Sequence, residues 1–212
     1  VIPTYTNDGV DCTGPSEEFT ITVSPTAQVA QVDDIVVCNG DEVAEIEFAT
    51  TSENDIAYSW SIDAEIGTQS LTGVGNIPLF EADNDTNDPI VAIVTVTPSN
   101  DETDPSLTCE GSSIEFTITV NPTAQVDLVD SLDLCNGDTA VVDFTTSNGG
   151  VDSVTTYSWE ITDGDSVFVG GASGEGNINL PVINETNADL VATVTVIPTY
   201  TNDGVDCTGP SE

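Results

Sequence analysis

The sequence contains no lysine, arginine or histidine, although it has 38 aspartate and glutamate residues and a formal net charge of −38 at pH 7. Phosphate backbones and anionic lipid head groups are bound through basic side chains. The absence of basic residues therefore excludes nucleic acid and anionic membrane surfaces as direct partners of this segment. The acidity itself fits either a self-repelling, solvated surface or a requirement for a divalent cation, which carboxylate oxygens bind.

Other features that are missing narrow the class of protein further. No apolar run approaches the roughly 20 residues that a membrane-spanning helix requires, and no basic signal-peptide region opens the chain. Histidine and lysine, the bases that usually activate serine or cysteine nucleophiles, are absent. No pair of acidic residues stands in the apolar pattern of a catalytic carboxylate pair. We therefore expect a protein that is not an enzyme.

What the sequence does contain is an internal repeat with a period of roughly 100 residues, which is the size of one domain. The segment EEFTITVSPTAQV at 17–29 returns as IEFTITVNPTAQV at 114–126, and AYSWSI at 57–62 returns as TYSWEI at 156–161. Further matching blocks lie between these segments, in the same order each time. The chain is therefore built from copies of one unit.

The limits of the units are expected from the ends of the repeat. Residues 1–17 and 196–212 have the same sequence, VIPTYTNDGVDCTGPSE. We expect residues 1–23 to be the C-terminal strands of a preceding repeat, 24–120 a complete repeat, and 121–212 a repeat without its last strand. Two interpretations stay open. We prefer a window cut from a longer array; the alternative is a subunit whose first residues complete the domain of the next subunit by donor-strand complementation.

The hydrophobic pattern inside each unit has a period of two residues, which is typical of half-buried strands. In the segment IEFTITV, for example, Phe116, Ile118 and Val120 form the apolar set. Turn sequences such as NDG, NGD and SNGG separate the strands, and the pattern contains no amphipathic helix. Trp60 and Trp159 lie on the third strand and are expected in the core. The sequence thus predicts an all-β fold of tandem immunoglobulin-like β-sandwich domains arranged end to end.

The five cysteines lie at equivalent places in the units and predict disulfides. Cys12, Cys109 and Cys207 precede the last strand, whereas Cys38 and Cys135 lie in CNGD turns. We prefer pairing within a unit, Cys38 with Cys109 and Cys135 with Cys207, which leaves Cys12 to a residue outside this segment. The alternatives join neighbouring units, either Cys12 with Cys38 and Cys109 with Cys135, or Cys38 with Cys207 across stacked domains. Without a CxxC motif or histidine, zinc is not expected.

Calcium is the candidate ion, and no other cofactor is expected. Asp83, Asp85 and Asn87 have the 1-3-5 spacing of a calcium loop, but the glycine and the distal glutamate of such loops are absent. The corresponding segment of the second unit, INETNA at 183–188, lacks the first acid, so an ordinary loop is the alternative. Asp-Ser/Thr-apolar triplets match a short O-glycosylation signal at Ser131, Thr139, Ser153 and Ser166.

Taken together, the blocks VCNGD, YSW, GNI, VATVTV and FTITVNPTAQV resemble the PKD-like, immunoglobulin-like repeats of giant cell-surface adhesins of Bacteroidota, including those of gliding motility. The resemblance covers the whole chain. It departs from PKD domains after the tryptophan, where SIDAEIG and EITDGD replace the W-x-F-G-D-G turn. The resemblance implies type IX secretion and an extracellular, outer-membrane-attached location. It also implies that the partners are neighbouring repeats of the same chain and the outer-membrane gliding and secretion machinery.

The expected function is a non-catalytic, repetitive stalk that extends an adhesin and transmits force in adhesion and gliding motility. Two other functions stay open on the sequence alone. One is a calcium-dependent module that binds polysaccharide or another surface. The other is a donor-strand-complemented filament subunit.

Overall fold

The computed structural model of the chain describes residues 1–21, 23, 25–50, 56–100 and 109–212, and over these residues the fold is all-β, as predicted. The described residues form fifteen strands and one short 3₁₀ helix, Asp165–Val167, and none of their helices could span a membrane. The strands are β1 (Thr4–Asn7), β2 (Val10–Thr13), β3 (Ile35–Cys38), β4 (Glu42–Val43), β5 (Ile56–Ile62), β6 (Thr72–Val74), β7 (Phe80–Glu81), β8 (Ile90–Asn100), β9 (Ile114–Asn121), β10 (Thr139–Val142), β11 (Val154–Asp163), β12 (Ser173–Glu175), β13 (Ile178–Pro181), β14 (Thr193–Asn202) and β15 (Val205–Thr208).

Among the described residues of the first repeat, which was expected at 24–120, two sheets share one hydrophobic core. The larger sheet has the strand order β3-β9-β8-β5-β6, and the smaller one pairs β4 with β7. β3 runs parallel to β9, whereas the other neighbours are antiparallel. The period-two positions point inward as predicted, because Phe116, Ile118 and Val120 of β9 are all buried in this core.

Each tryptophan lies in a core and requires a glycine on the neighbouring strand. Trp60 is paired with Gly73 across β5 and β6, and a Cβ on Gly73 would come within 2.2 Å of the indole Cζ2. In the second repeat, a Cβ on Gly174 would lie 2.5 Å from Cζ2 of Trp159. A side chain at either position would displace the ring. These glycines are therefore needed so that the indole ring can pack closely against the neighbouring strand, and not because a turn requires them.

The second repeat, residues 121–212, has a smaller core and fewer strands. Its sheets have the orders β12-β11-β14-β15 and β10-β13. The core contains Trp159, Phe144, Ile178, Val182 and Val196, and in the described chain no strand occupies the place beside β14 that β9 occupies beside β8.

The hairpin at the start of the chain has the local structure of its identical copy but not the same surroundings. β1 and β2 pair Tyr5 with Cys12, as β14 and β15 pair Tyr200 with Cys207. Tyr5 is nevertheless 70% exposed, whereas Tyr200 is 0% exposed. The local sequence therefore determines the strand register of the hairpin, whereas contact with the neighbouring repeat determines whether its side chains are buried.

Candidate functional site: the junction between the repeats

The two repeats are joined by a disulfide between Cys38, the last residue of β3, and Cys207 on β15. The Cα atoms are 5.5 Å apart, and the two residues are separated by 169 positions in the sequence. The preferred pairing within a repeat, Cys38 with Cys109 and Cys135 with Cys207, is therefore wrong. The alternative pairing across stacked domains is the one observed.

The strand pairing explains why the cysteines of one repeat do not meet. Cys38 pairs with Asn121 at one end of the larger sheet, where β8 begins. Cys109 lies opposite Asn100 at the other end of β8. An eleven-residue strand is roughly 33 Å long at ~3.3 Å per residue, and a disulfide bridges Cα atoms no more than ~7 Å apart. The bottom turn of one repeat can therefore reach only the top hairpin of the next.

Cys135 lies in a turn that matches the turn of Cys38. The backbone N–H of Cys38 donates to Oδ2 of Asp41 at 3.0 Å, and that of Cys135 donates to Oδ2 of Asp138 at 2.8 Å. Cys135 is an exposed thiol at the bottom of the second repeat, where Cys38 forms its disulfide at the bottom of the first. Cys12 is also exposed, so the expectation that it pairs outside the chain stays a prediction.

Buried side-chain amides connect the repeats beside the disulfide. Nδ2 of Asn202, on the top hairpin of the second repeat, donates to Oδ1 of Asn121 at 2.9 Å. Asn121 is fully buried, and its own Nδ2 has no hydrogen-bond partner. Nδ2 of Asn39 donates to Oγ1 of Thr123 at 2.9 Å from the other side. Because a buried amide that loses its partner is costly, these contacts favour one fixed arrangement of the junction.

Tyr200 holds a loop of the second repeat against the first repeat. Its hydroxyl donates to the carbonyl oxygen of Gly149 at 2.8 Å, and the N–H of Gly149 donates to the carbonyl oxygen of Asn87 at 2.9 Å. A Cβ on Gly149 would lie 2.3 Å from Oδ1 of Asp88. The SNGG segment is therefore a contact surface as well as a turn, which its sequence alone does not indicate.

The linker between the repeats is packed rather than free. Ala124 is fully buried, and a Cβ on Gly209 would approach its carbonyl oxygen to 2.0 Å. The N–H of Gln125 donates to Oδ1 of Asn148 at 2.7 Å, and Nδ2 of Asn148 donates to the carbonyl oxygen of Thr123 at 3.1 Å. The linker thus contacts both the hairpin and the SNGG loop of the second repeat.

Two titratable groups of the described residues have shifted pKa values. The hydrogen bond from the N–H of Thr117, at 2.6 Å, lowers the pKa of Asp34 and ties the approach to β3 to strand β9. Burial, followed by the negative charge of Asp127, raises the pKa of Tyr157, whose ring contacts Phe144 in the core of the second repeat.

The calcium candidate lies in a loop that is organised by an asparagine. Nδ2 of the buried Asn84 donates to the carbonyl oxygens of Asp88 and Val120, at 2.9 and 2.7 Å, while Thr86 donates to its Oδ1. Asn184 and Thr186 form the same turn in the second repeat. Sequence reasoning missed this motif, although N-x-T recurs at matching positions.

The acids around Asn84 do not form a group of ligands in the described chain. Asp83 and Asp85 are exposed, and Asn87 contacts the second repeat through its carbonyl oxygen. Among the residues that the structure describes, no group of three or more histidine, cysteine, aspartate or glutamate side chains is arranged to hold a metal ion.

The candidate glycosylation residues differ in their accessibility. Ser131, Thr139 and Ser166 are exposed. Ser153 is half-buried, and its hydroxyl donates to the carbonyl oxygens of Gly149 and Gly150 at 3.1 and 3.2 Å, beside the junction. A glycan on Ser153 would compete with these contacts, so the other positions suit modification better.

The fold and the junction define an all-β protein of repeated units that are covalently joined to each other. No family model and no curated protein matches the chain. The resemblance to PKD-like repeats therefore stays a prediction from the sequence blocks.

Proposed function

We propose that the chain is a non-catalytic stalk segment of a large secreted bacterial surface adhesin. Its units are tandem immunoglobulin-like, PKD-like domains that extend the adhesin from the cell surface and transmit force in adhesion and gliding motility. The observation that supports this proposal most directly is the junction, where a disulfide, buried amides and a packed linker connect the units.

The position of the disulfide suits a load-bearing element. A force applied to the two ends of the chain reaches Cys38 from one side and Cys207 from the other. The bond between them carries that force past both repeats, so the strands between these residues are not pulled apart. A domain that only binds a ligand does not need a covalent bond that bypasses its strands. A stalk under tension does, because this bond keeps the repeats folded while the force is transmitted.

The charge of the chain suits an extended stalk as well. With a net charge of −38 and no basic side chain, neighbouring units repel each other, and this repulsion is screened within ~8–10 Å at physiological ionic strength. We expect the segment to be stiffer and more extended at low salt than at high salt. Small-angle scattering measures this directly, and an identical persistence length at both salt concentrations would contradict the expectation.

The cellular role is tested in the bacterium that encodes the chain. An antibody raised against the 212 residues should label intact cells along extended surface structures, and a denaturing gel should show a parent chain of many hundreds of kilodaltons. Labelling that requires cell lysis would refute the surface location. A parent chain of the size of this segment would refute the stalk.

A further inference from the structure

The sequence contains three Asn-Gly dipeptides, at 39–40, 136–137 and 148–149. Asparagine is chemically labile, most of all before glycine, which has no side chain to hinder ring closure. The glycine nitrogen attacks Cγ of the asparagine and gives up its proton, the carboxamide nitrogen leaves as ammonia, and a five-membered succinimide forms. Water then opens the succinimide at either carbonyl group and leaves aspartate or isoaspartate. Each dipeptide is therefore a candidate deamidation site.

The glycine nitrogen is held within its own repeat at two of these sites. The N–H of Gly40 donates to the carbonyl oxygen of Ala82 at 2.8 Å. The N–H of Gly137 donates to the carbonyl oxygen of Val182 at 3.0 Å. A nitrogen that is held in such a hydrogen bond is not free to attack the preceding side chain. Reaction at these sites therefore requires local unfolding of one repeat.

At the third site the glycine nitrogen is held by the other repeat. The N–H of Gly149, in the second repeat, donates to the carbonyl oxygen of Asn87 in the first at 2.9 Å. The carboxamide of Asn148 is held by the linker, because its Oδ1 accepts from the N–H of Gln125 at 2.7 Å and its Nδ2 donates to the carbonyl oxygen of Thr123 at 3.1 Å. The attacking nitrogen and the carboxamide that it would attack are thus both fixed at the junction.

We propose that Asn148 is a spontaneous deamidation site that is protected while the two repeats are docked and reacts when they separate. Separation releases the nitrogen of Gly149 from Asn87, whereas the other two glycine nitrogens keep their partners. Because the reaction requires the open junction, its rate should equal the rate of a free peptide multiplied by the fraction of time that the junction is open.

The products should not fit the closed junction. Deamidation replaces Nδ2 of Asn148 by an oxygen, which cannot donate to the carbonyl oxygen of Thr123. Isoaspartate also lengthens the backbone by a methylene group directly before Gly149, where even a Cβ would lie 2.3 Å from Oδ1 of Asp88. A junction that has opened and reacted should therefore close less stably than before.

The test compares the three dipeptides within the whole chain. The protein is incubated at mildly alkaline pH, where the glycine nitrogen loses its proton more readily, and mass spectrometry of proteolytic peptides measures the conversion at Asn39, Asn136 and Asn148. A synthetic TSNGGV peptide gives the rate of the unprotected sequence.

Two variants open the junction without changing the SNGG segment. Asn202→Ala removes the buried amide contact to Asn121, and Cys38→Ser removes the disulfide. The matched control is Asn7→Ala, which makes the same change as Asn202→Ala at the equivalent, exposed position of the identical hairpin.

We expect Asn148 in the unmodified chain to react much more slowly than the peptide. Asn202→Ala and Cys38→Ser should accelerate its reaction roughly tenfold, because the loss of a buried contact raises the population of the open junction. Asn136 in every variant, and Asn148 in Asn7→Ala, should react at unchanged rates.

Three results would overturn the proposal: equal rates for Asn148 in the unmodified chain and in the peptide, no acceleration in either junction variant, or equal acceleration at Asn136. The loss of fit has its own measurement. Asn148→Asp should exchange the N–H of Gly149 with solvent faster than the unmodified chain does, and equal protection would refute that consequence. The proposal does not depend on the adhesin role, which cell labelling tests separately.

Discussion

Opening the disulfide between Cys38 and Cys207 should change how much of the chain can be stretched. When the bond is intact, only the residues outside it lengthen under a force applied to the two ends. When it is open, both repeats can unfold and extend. The 169 residue steps between the cysteines correspond to about 590 Å of additional contour length at ~3.5 Å per residue.

Single-molecule force spectroscopy with handles at both ends measures this length. We expect the oxidised chain to show only short extensions that arise outside the disulfide. Reduced protein and the variant Cys38→Ser should show two further unfolding events, one for each repeat. The matched control is Cys135→Ser, which changes the same position of an equivalent CNGD turn but removes an exposed thiol. This control should behave like the unmodified chain.

The same bond should also contribute to equilibrium stability. For a closed loop of 169 positions, the chain-entropy relation gives about 5 kcal/mol, which is an upper value because two repeats need not unfold together. Denaturant unfolding should therefore show a lower midpoint for Cys38→Ser than for Cys135→Ser. The reasoning is refuted if oxidised protein already releases the full length, or if the two serine variants are indistinguishable in both assays.

Three other perturbations test the junction and its surroundings. Tyr200→Phe should cost about 0.5–1.5 kcal/mol in chemical denaturation because it removes the hydrogen bond to Gly149, whereas Tyr5→Phe in the identical exposed hairpin should cost nothing. The lowered pKa of Asp34 means that its carboxylate stabilises the fold above the ordinary aspartate pKa of about 4. The advantage over Asp34→Asn should thus be present at neutral pH and lost as pH falls through the lowered pKa of the folded state. Millimolar calcium should leave the melting temperature unchanged; an increase that Asp83→Asn abolishes would instead favour a calcium-dependent binding module.

Local structure was predictable because it depends on neighbouring residues. The period-two pattern located the apolar face of β9, and the tryptophans were expected in the core. The two copies of VIPTYTNDGVDCTGPSE form hairpins of the same register. Burial was not predictable from these patterns, since Tyr5 and Tyr200 have identical flanking sequences and opposite exposures. A residue in a repeat acquires its environment from the unit that is stacked against it.

The pairing of the cysteines was not predictable for a related reason. In a repeated sequence, a bond within a unit and a bond to the next unit use the same residue types at the same positions. Only the length of β8 distinguishes them, because it separates the bottom turn from the top hairpin of one unit. This distance already favoured the pairing of Cys38 with Cys207 across stacked domains, and the preference for a unit with its own disulfide was wrong because it gave the distance too little weight.

Different residues make corresponding polar contacts at the ends of β8 and β14. Tyr200 and Asn100 occupy equivalent places on β14 and β8, as their strand partners show. Tyr200 reaches across to Gly149, whereas Nδ2 of Asn100 donates to the carbonyl oxygen of Pro25 at 2.6 Å. In each repeat, a buried polar side chain of the top hairpin satisfies a backbone carbonyl near the linker. Turn sequences such as NDG are usually interpreted as solvent-exposed. In this chain the hairpin of β14 and β15, which contains NDG at 202–204, contacts the first repeat through Cys207 and Asn202.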